Sequence, residues 1–274
     1  MPPLLDDSQF VLDPIAPVEP APEVTRPVAR SDRAQRALDI LVGAASLLVA
    51  GPLLLVAILA VKLTSRGPVI YCQSRLGRYG RPFVIYKIRS MTHNCEKQSG
   101  VKWCTTGDAR VTWVGRILRK THVDELPQLI NILRGEMSVV GPRPERPEIV
   151  VTLEQYLKGY RGRLNVRPGL TGLAQVQLPP DTDLESARRK LQYDLHYAKN
   201  GTAWMDVRLL VSTAFHIVRL PFAFSRLLLW LPGQPEVEPE RSDINPIVDP
   251  NADTAVHAIC PATICEVTFD AARA

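Results

Sequence analysis

The sequence predicts an α+β, mostly helical protein, in which a re-entrant N-terminal membrane helix precedes a small cytoplasmic body with a short β-hairpin and amphipathic interface helices. Three observations carry that prediction. Residues 40–61 hold no charge at all; residues 68–73 and 83–88 are β-branched and aromatic around a Gly- and Pro-rich turn; and later segments space their apolar residues at helical intervals. At 274 residues and 46% hydrophobic, the chain is too apolar to be wholly disordered and has too few apolar runs for a multi-span membrane protein.

The charge is unevenly spread. The whole chain carries 33 Lys+Arg against 28 Asp+Glu, a net +5. Residues 1–30 have five acids and two bases and residues 231–274 eight acids and two bases, so the middle is +14 between tails of −3 and −6. This divides the chain into a disordered, Pro-rich acidic head (1–30), a re-entrant anchor (31–66), a folded body (67–230) and an acidic, disordered tail (231–274). A basic body wants an anionic partner, and nucleic acid, anionic membrane lipid and phosphorylated substrates all qualify. No aromatic-interleaved basic strand or helix-turn-helix pattern supports nucleic acid.

As a helix, the uncharged run of about 22 residues reaches ~33 Å, enough to cross a bilayer core. Gly51-Pro52 lies at its middle, where proline removes a backbone donor and a kink is expected. Basic residues flank both ends, Arg33 and Arg36 before, Lys62, Arg66, Arg75 and Arg78 after, so the positive-inside bias puts both ends in the cytoplasm. A helix that enters, bends and leaves on the same face meets both constraints; a bitopic span with a relieved proline kink is the alternative.

Beyond the hairpin, a short helix is expected over residues 111–118. A second opens at Asp124-Glu125-Leu126-Pro127, runs through Leu129, Ile130 and Leu133, and ends at Gly135. Asp124 fits its N-cap or first turn, where the positive helix end favours a carboxylate and phosphate alike. Two adjacent acids can also hold Mg²⁺ beside a phosphate, and an ionised aspartate can attack phosphorus. Simple capping is the competing explanation. Arg116, Arg119 and Lys120 precede the pair, however, and three prolines stiffen the segment that carries Arg143 and Arg146.

Other signals are weaker. His93, Cys95 and Cys104 lack a fourth ligand at zinc spacing, Cys260 and Cys265 fall in the tail, and Arg188-Arg189-Lys190 reads as a solvated helix face or a lipid contact. Residues 207–231 are apolar but interrupted by Arg208, Arg219 and Arg226, so an in-plane interface helix or packing on the body fits better than a span.

Three ordered motifs carry a resemblance: Tyr86-Lys87-Ile88-Arg89-Ser90-Met91, the stretch from Asp124-Glu125-Leu126-Pro127 through Gly135-Glu136-Met137-Ser138 to Gly141-Pro142-Arg143-Pro144, and Arg167-Pro168-Gly169-Leu170-Thr171-Gly172-Leu173-Ala174-Gln175. Over residues 36–219 the chain resembles bacterial sugar transferases, specifically the minimal, single-anchor monotopic polyprenyl-phosphate phosphoglycosyl transferases. The resemblance implies a catalytic domain over 67–230 at the cytoplasmic face of the bacterial inner membrane, with a nucleotide diphosphate sugar and a polyprenyl phosphate as substrates. The reaction begins polysaccharide or glycoconjugate assembly. Asp124 is then the nucleophile that forms a covalent phosphosugar intermediate, Glu125 its dyad partner, and the two hold Mg²⁺. Arg119, Arg143, Arg146, Lys87 and Arg89 are implied to bind phosphate, with Gln175 and Glu136 as further site candidates and Gly51 and Pro52 as the kink. Glu136 stands where the family usually has aspartate. A non-catalytic, membrane-anchored adaptor is the competing class, and the sequence leaves a homo-oligomer open.

Overall fold

The structure is a computed structural model that describes residues 32–95, 107–179, 184–217 and 228–233. Helix α1 (Asp32–Thr64) continues through Pro52 and does not end at Gly51-Pro52. Its middle is open to the surroundings, with Leu48 and Val49 each 81% exposed, while both of its ends dock on the same body. At the leading end, Arg36 donates to the carbonyls of Ile132 and Leu133. Gln35 donates to the Ser138 hydroxyl at 2.8 Å, and that hydroxyl donates onward to Asp39 Oδ1 at 2.7 Å. Asp39 also accepts the Val139 N–H at 2.9 Å and is itself buried. At the trailing end, Ala57 and Val61 pack with Ile88, Val114, Leu118 and Val123, and Arg89 donates to the carbonyl and hydroxyl of Ser65.

Strands β1 (Ile70–Leu76) and β2 (Pro82–Ile88) form the expected antiparallel hairpin, with Ile70 opposite Ile88 and Leu76 opposite Pro82. The first strand runs further toward the turn than its apolar residues suggest, because polar Gln73, Ser74 and Arg75 pair with Ile85, Val84 and Phe83. Leu76 then closes it by entering a core cluster with Val150, Leu153 and Leu191.

Helix α2 (Trp113–Lys120) is capped by Thr112, whose hydroxyl accepts the Gly115 N–H. After His122 at φ 56°, a single 3₁₀ turn spans Val123–Glu125, and helix α3 (Gln128–Arg134) starts only afterwards. Asp124 is therefore not the cap of α3, contrary to the capping expectation. Pro127 occupies the cap position, and the bonds leading into it, from Glu125 N to His122 O and Leu126 N to Val123 O, are of the shorter i to i+3 kind. Gly135 ends α3 at φ 85°, as expected.

Strand β3 (Ser138–Val140) pairs in parallel with β4 (Gly169–Thr171). The pairing depends on glycines at a crossing with no room for side chains. A Cβ on Gly141 would lie 2.3 Å from the Arg167 carbonyl, and one on Gly169 would lie 2.0 Å from the Gly141 nitrogen. Helices α4 (Pro147–Tyr156), α5 (Leu173–Gln177), α6 (Leu184–Asn200) and α7 (Ala203–Ile217) complete the body. The main core joins Ile85, Leu129, Ile132, Met137, Val140, Leu173, Tyr197 and Leu209.

One expectation changes here, and one open alternative is decided for α7. Met205, Asp206, Leu209 and Ser212 of α7 are buried, so that helix packs on the body along one side. Leu231 also joins the main core, and the Pro232 carbonyl accepts a hydrogen bond from Gln177. Lys190 is likewise buried and is not part of a solvated face. The acidic head, most of the tail and Cys104, Cys260 and Cys265 lie outside the described residues.

Replacing Asp39 by alanine leaves the Val139 N–H and the Ser138 hydroxyl buried without their acceptor. At ~1–3 kcal/mol for each unsatisfied group, thermal unfolding in detergent should begin several degrees lower than in the unsubstituted protein. An unchanged midpoint would mean that the Asp39 bonds add nothing beyond the Arg36 and apolar contacts at the leading end of α1.

Candidate active site

The 3₁₀ turn at 123–125 puts two acids side by side in different surroundings. Glu125 is gripped from two directions. Lys87 Nζ, on β2, lies 2.8 Å from Oε1, and Arg143 Nη2, just beyond β3, lies 2.5 Å from the same oxygen, with Nη1 at 3.3 Å from Oε2. Burial alone would push the Glu125 carboxyl up, but the Arg143 and Lys87 charges and their hydrogen bonds outweigh it and hold the group well below the usual carboxylate range. The Glu125 charge in turn raises Arg143, while burial, only partly offset by Glu125, lowers Lys87.

Asp124 is the opposite case. It is 8% exposed, and no hydrogen bond reaches its carboxylate among the described residues. Burial raises its pKa and the neighbouring Glu125 charge adds to the rise; Lys87, Arg119 and His122 oppose it. One carboxylate is thus locked as an anion by two cations, and the other is sheltered and uncommitted.

The surrounding residues are held by close packing. A Cβ on Gly115 would fall 1.9 Å from the Ser90 carbonyl, so α2 lies directly against the strand exit. There Arg119 Nε donates to Ser90 Oγ at 2.7 Å. Gln175, at the start of α5, accepts from Arg143 at 3.4 Å and donates to the Gly141 carbonyl at 3.4 Å. Lys87, Arg119, Arg143 and Gln175 are therefore brought to the acidic pair, directly or through one another.

The remaining candidates stand elsewhere. Arg89 turns to Ser65 at the end of α1. Arg146 lies 3.5 Å from Glu148. Glu136 accepts from Asn131, whose side chain also ties to the backbone of Val84 and Tyr86, so that acid braces the hairpin against α3. His93 and Cys95 join no group of three or more metal-ligating side chains among the described residues.

The bacterial sugar transferase family matches residues 30–220, most of the chain and all of this site. The chain belongs to the bacterial sugar transferases. Curated relatives agree. A UDP-N-acetylgalactosamine-undecaprenyl-phosphate N-acetylgalactosaminephosphotransferase of Aeromonas hydrophila is 41% identical over 179 residues, 65% of this chain and 42% of that protein. A UDP-glucose:undecaprenyl-phosphate glucose-1-phosphate transferase of Caulobacter vibrioides is 43% identical over 184 residues, 66% of this chain and 68% of that one. An exopolysaccharide production protein of Rhizobium leguminosarum is 42% identical over 184 residues, 65% of this chain and 92% of that protein. The chain thus matches about two-fifths of the length of the Aeromonas protein and nearly all of the Rhizobium one.

Within this bacterial sugar transferase, sequence reasoning missed Arg75, Arg163 and Asp194. Arg75 donates to the Pro144 carbonyl at 3.1 Å, and Arg163 donates to the Arg143 carbonyl at 2.9 Å and pairs with Asp194 at 2.7 Å. Asp194 did leave a trace in the sequence. It lies three residues from both Leu191 and Tyr197 on the apolar stripe of α6, a position that calls for a buried partner.

Because the folded state holds Glu125 below its ordinary value of 4.5, the group adds stability that is fully present above that value and lost as pH falls below it. Glu125→Gln should therefore have a lower unfolding midpoint than the unsubstituted protein near neutral pH, with the gap narrowing below about pH 4.5. A gap independent of pH would show that the Lys87 and Arg143 contacts do not act through charge.

Proposed function

We propose that the protein transfers a sugar 1-phosphate from a nucleotide diphosphate sugar, most simply a UDP-sugar, to a polyprenyl phosphate in the membrane. The observation that carries this reading is the contrast within the acidic pair: Asp124 is sheltered and uncommitted while Glu125 is clamped. Asp124 acts as nucleophile. One carboxylate oxygen attacks the β-phosphorus, the bond from that phosphorus to the bridging oxygen breaks, and the nucleoside monophosphate leaves with the electron pair. The phosphosugar remains on Asp124 as an acyl phosphate. An oxygen of the polyprenyl phosphate then attacks the same phosphorus, and the bond to Asp124 breaks to restore the carboxylate.

The cations fit this use. Lys87 and Arg143 are already ordered around Glu125, so they can meet growing negative charge on the phosphate without first being reorganised, and Arg143 offers a planar fork. The raised Asp124 pKa keeps the attacking oxygen more basic than an ordinary aspartate, which favours attack once the group is ionised. Mg²⁺ suits the hard, unpartnered oxygens of Asp124, with Glu125 beside them. When bound, it would supply positive charge to screen the two negative substrates from the acids.

Asp124→Asn should abolish turnover while leaving the protein folded and in the membrane, and mass spectrometry of the unsubstituted enzyme given only nucleotide sugar should find a sugar phosphate on the Asp124 peptide. An adduct elsewhere, or substantial activity without the carboxylate, would reject the assignment.

The docking of both ends of α1 on one body supports a re-entrant anchor at the cytoplasmic face, since a bitopic span would put part of that body on the far side of the bilayer. With Gly51-Pro52 replaced by Leu-Leu, the middle of α1 loses its proline and becomes more apolar. Cysteine labelling of sealed vesicles should find residues 33 and 70 on one side in the native chain and a fraction of heads moved across in the variant. A native head reachable only from the periplasmic side would sink the re-entrant reading.

A further inference from the structure

The segment Arg143-Pro144-Glu145 belongs to no helix or strand, yet its three consecutive carbonyls are all bound by distant residues, one from Arg163 and two from the end of β1. Arg143 O accepts from Arg163 Nη2 at 2.9 Å, Pro144 O from Arg75 Nη1 at 3.1 Å, and Glu145 O from the Leu76 N–H at 3.0 Å. The first bond is the one nearest the site and the most deeply placed. Arg163 and Asp194 are 3% and 2% exposed, and their ion pair closes at 2.7 Å. Arg163 also donates to the Tyr160 hydroxyl at 2.8 Å, with its guanidinium over that ring at 5.2 Å, and stands 3.9 Å from Glu145.

A buried ion pair is a weak device for stability, because desolvation cancels much of its attraction. Its value lies in direction. A guanidinium locked on four sides can deliver one hydrogen to one carbonyl with little freedom left, and that carbonyl belongs to the residue whose side chain grips Glu125.

Resting on the transferase reading above, we propose that Arg163 and Asp194 are positioning residues that fix the backbone of Arg143 and so set its guanidinium against Glu125 and the substrate phosphate. Arg75 is the outer member of the same brace, with its charge balanced by Glu145 at 3.8 Å. Burial raises Asp194 to about 6, with Arg163 and then Lys190 opposing the rise. Those are the cations that must stay in place for the carboxylate to stay charged.

The test is a double-variant cycle on the full-length protein in lipid nanodiscs, with turnover of UDP-sugar and polyprenyl phosphate expressed per folded molecule. Asp194→Asn in the otherwise native chain should lower kcat by about 10- to 100-fold, the scale expected for a small misplacement of a charge-stabilising group. In the Arg143→Ala background the same substitution should change kcat by less than about 2-fold, because the group it positions is gone. Asp194→Glu should recover part of the loss. If Asp194→Asn does not fold, Arg163→Lys, which keeps a cation for Asp194 and loses the fork, takes its place with the same expected pattern. Equal effects in both backgrounds would make the pair merely structural and overturn the proposal, as would full activity in the single variant. An unsubstituted enzyme inactive on every UDP-sugar tried would instead overturn the transferase reading.

Discussion

Two cations converging on the Glu125 carboxylate tie together the three parts of the chain that make the site. Lys87 arrives from the hairpin, Arg143 from the segment after β3, and Glu125 from the turn between α2 and α3. A buried carboxylate alone would be costly, and two cations so close to each other would repel; each is tolerable only with the others in place. The β-hairpin, the β3–β4 crossing and the 3₁₀ turn must therefore adopt their mutual arrangement together.

That arrangement also explains why glycine and proline cluster where they do. The glycines at 141 and 169 let two backbones approach within a distance that excludes any side chain, which brings Arg143 in beside the start of α5 and Gln175. The prolines at 142, 144 and 147 leave the following segment with few amide donors and little freedom, so its position is dictated by outside donors to its carbonyls. Stiffness from sequence and location from tertiary contact are separate contributions, and this loop needs both.

Much of this was legible in the chain. The uncharged run, the hairpin, the end of α3 at Gly135 and the acidic pair are local signals, and local patterns record them faithfully. What escaped was set by tertiary contact. Arg75 looks like a polar residue after a strand, and Arg163 lies in a turn with no periodicity, so nothing nearby in sequence announces that each binds a carbonyl 69 or 20 residues away. The placement of Arg89 was hidden for the opposite reason. It sits two residues from Lys87 in the same motif, but the chain leaves the strand there and its side chain goes to the end of α1. The competing explanation of Asp124 as a simple cap fails, because Pro127 delays the helix.

The leading end of α1 has a consequence for how the protein is made. Arg36 and Asp39 dock on groups at 132, 133, 138 and 139, about a hundred residues later in the chain. At a synthesis rate of ~5–20 residues per second, those partners emerge ~5–20 s after the apolar segment does. For that interval the exposed apolar side chains of Leu48, Val49 and their neighbours have no folded body beside them, so the head of α1 gains its docking partners only after the hairpin and the acidic pair have been made.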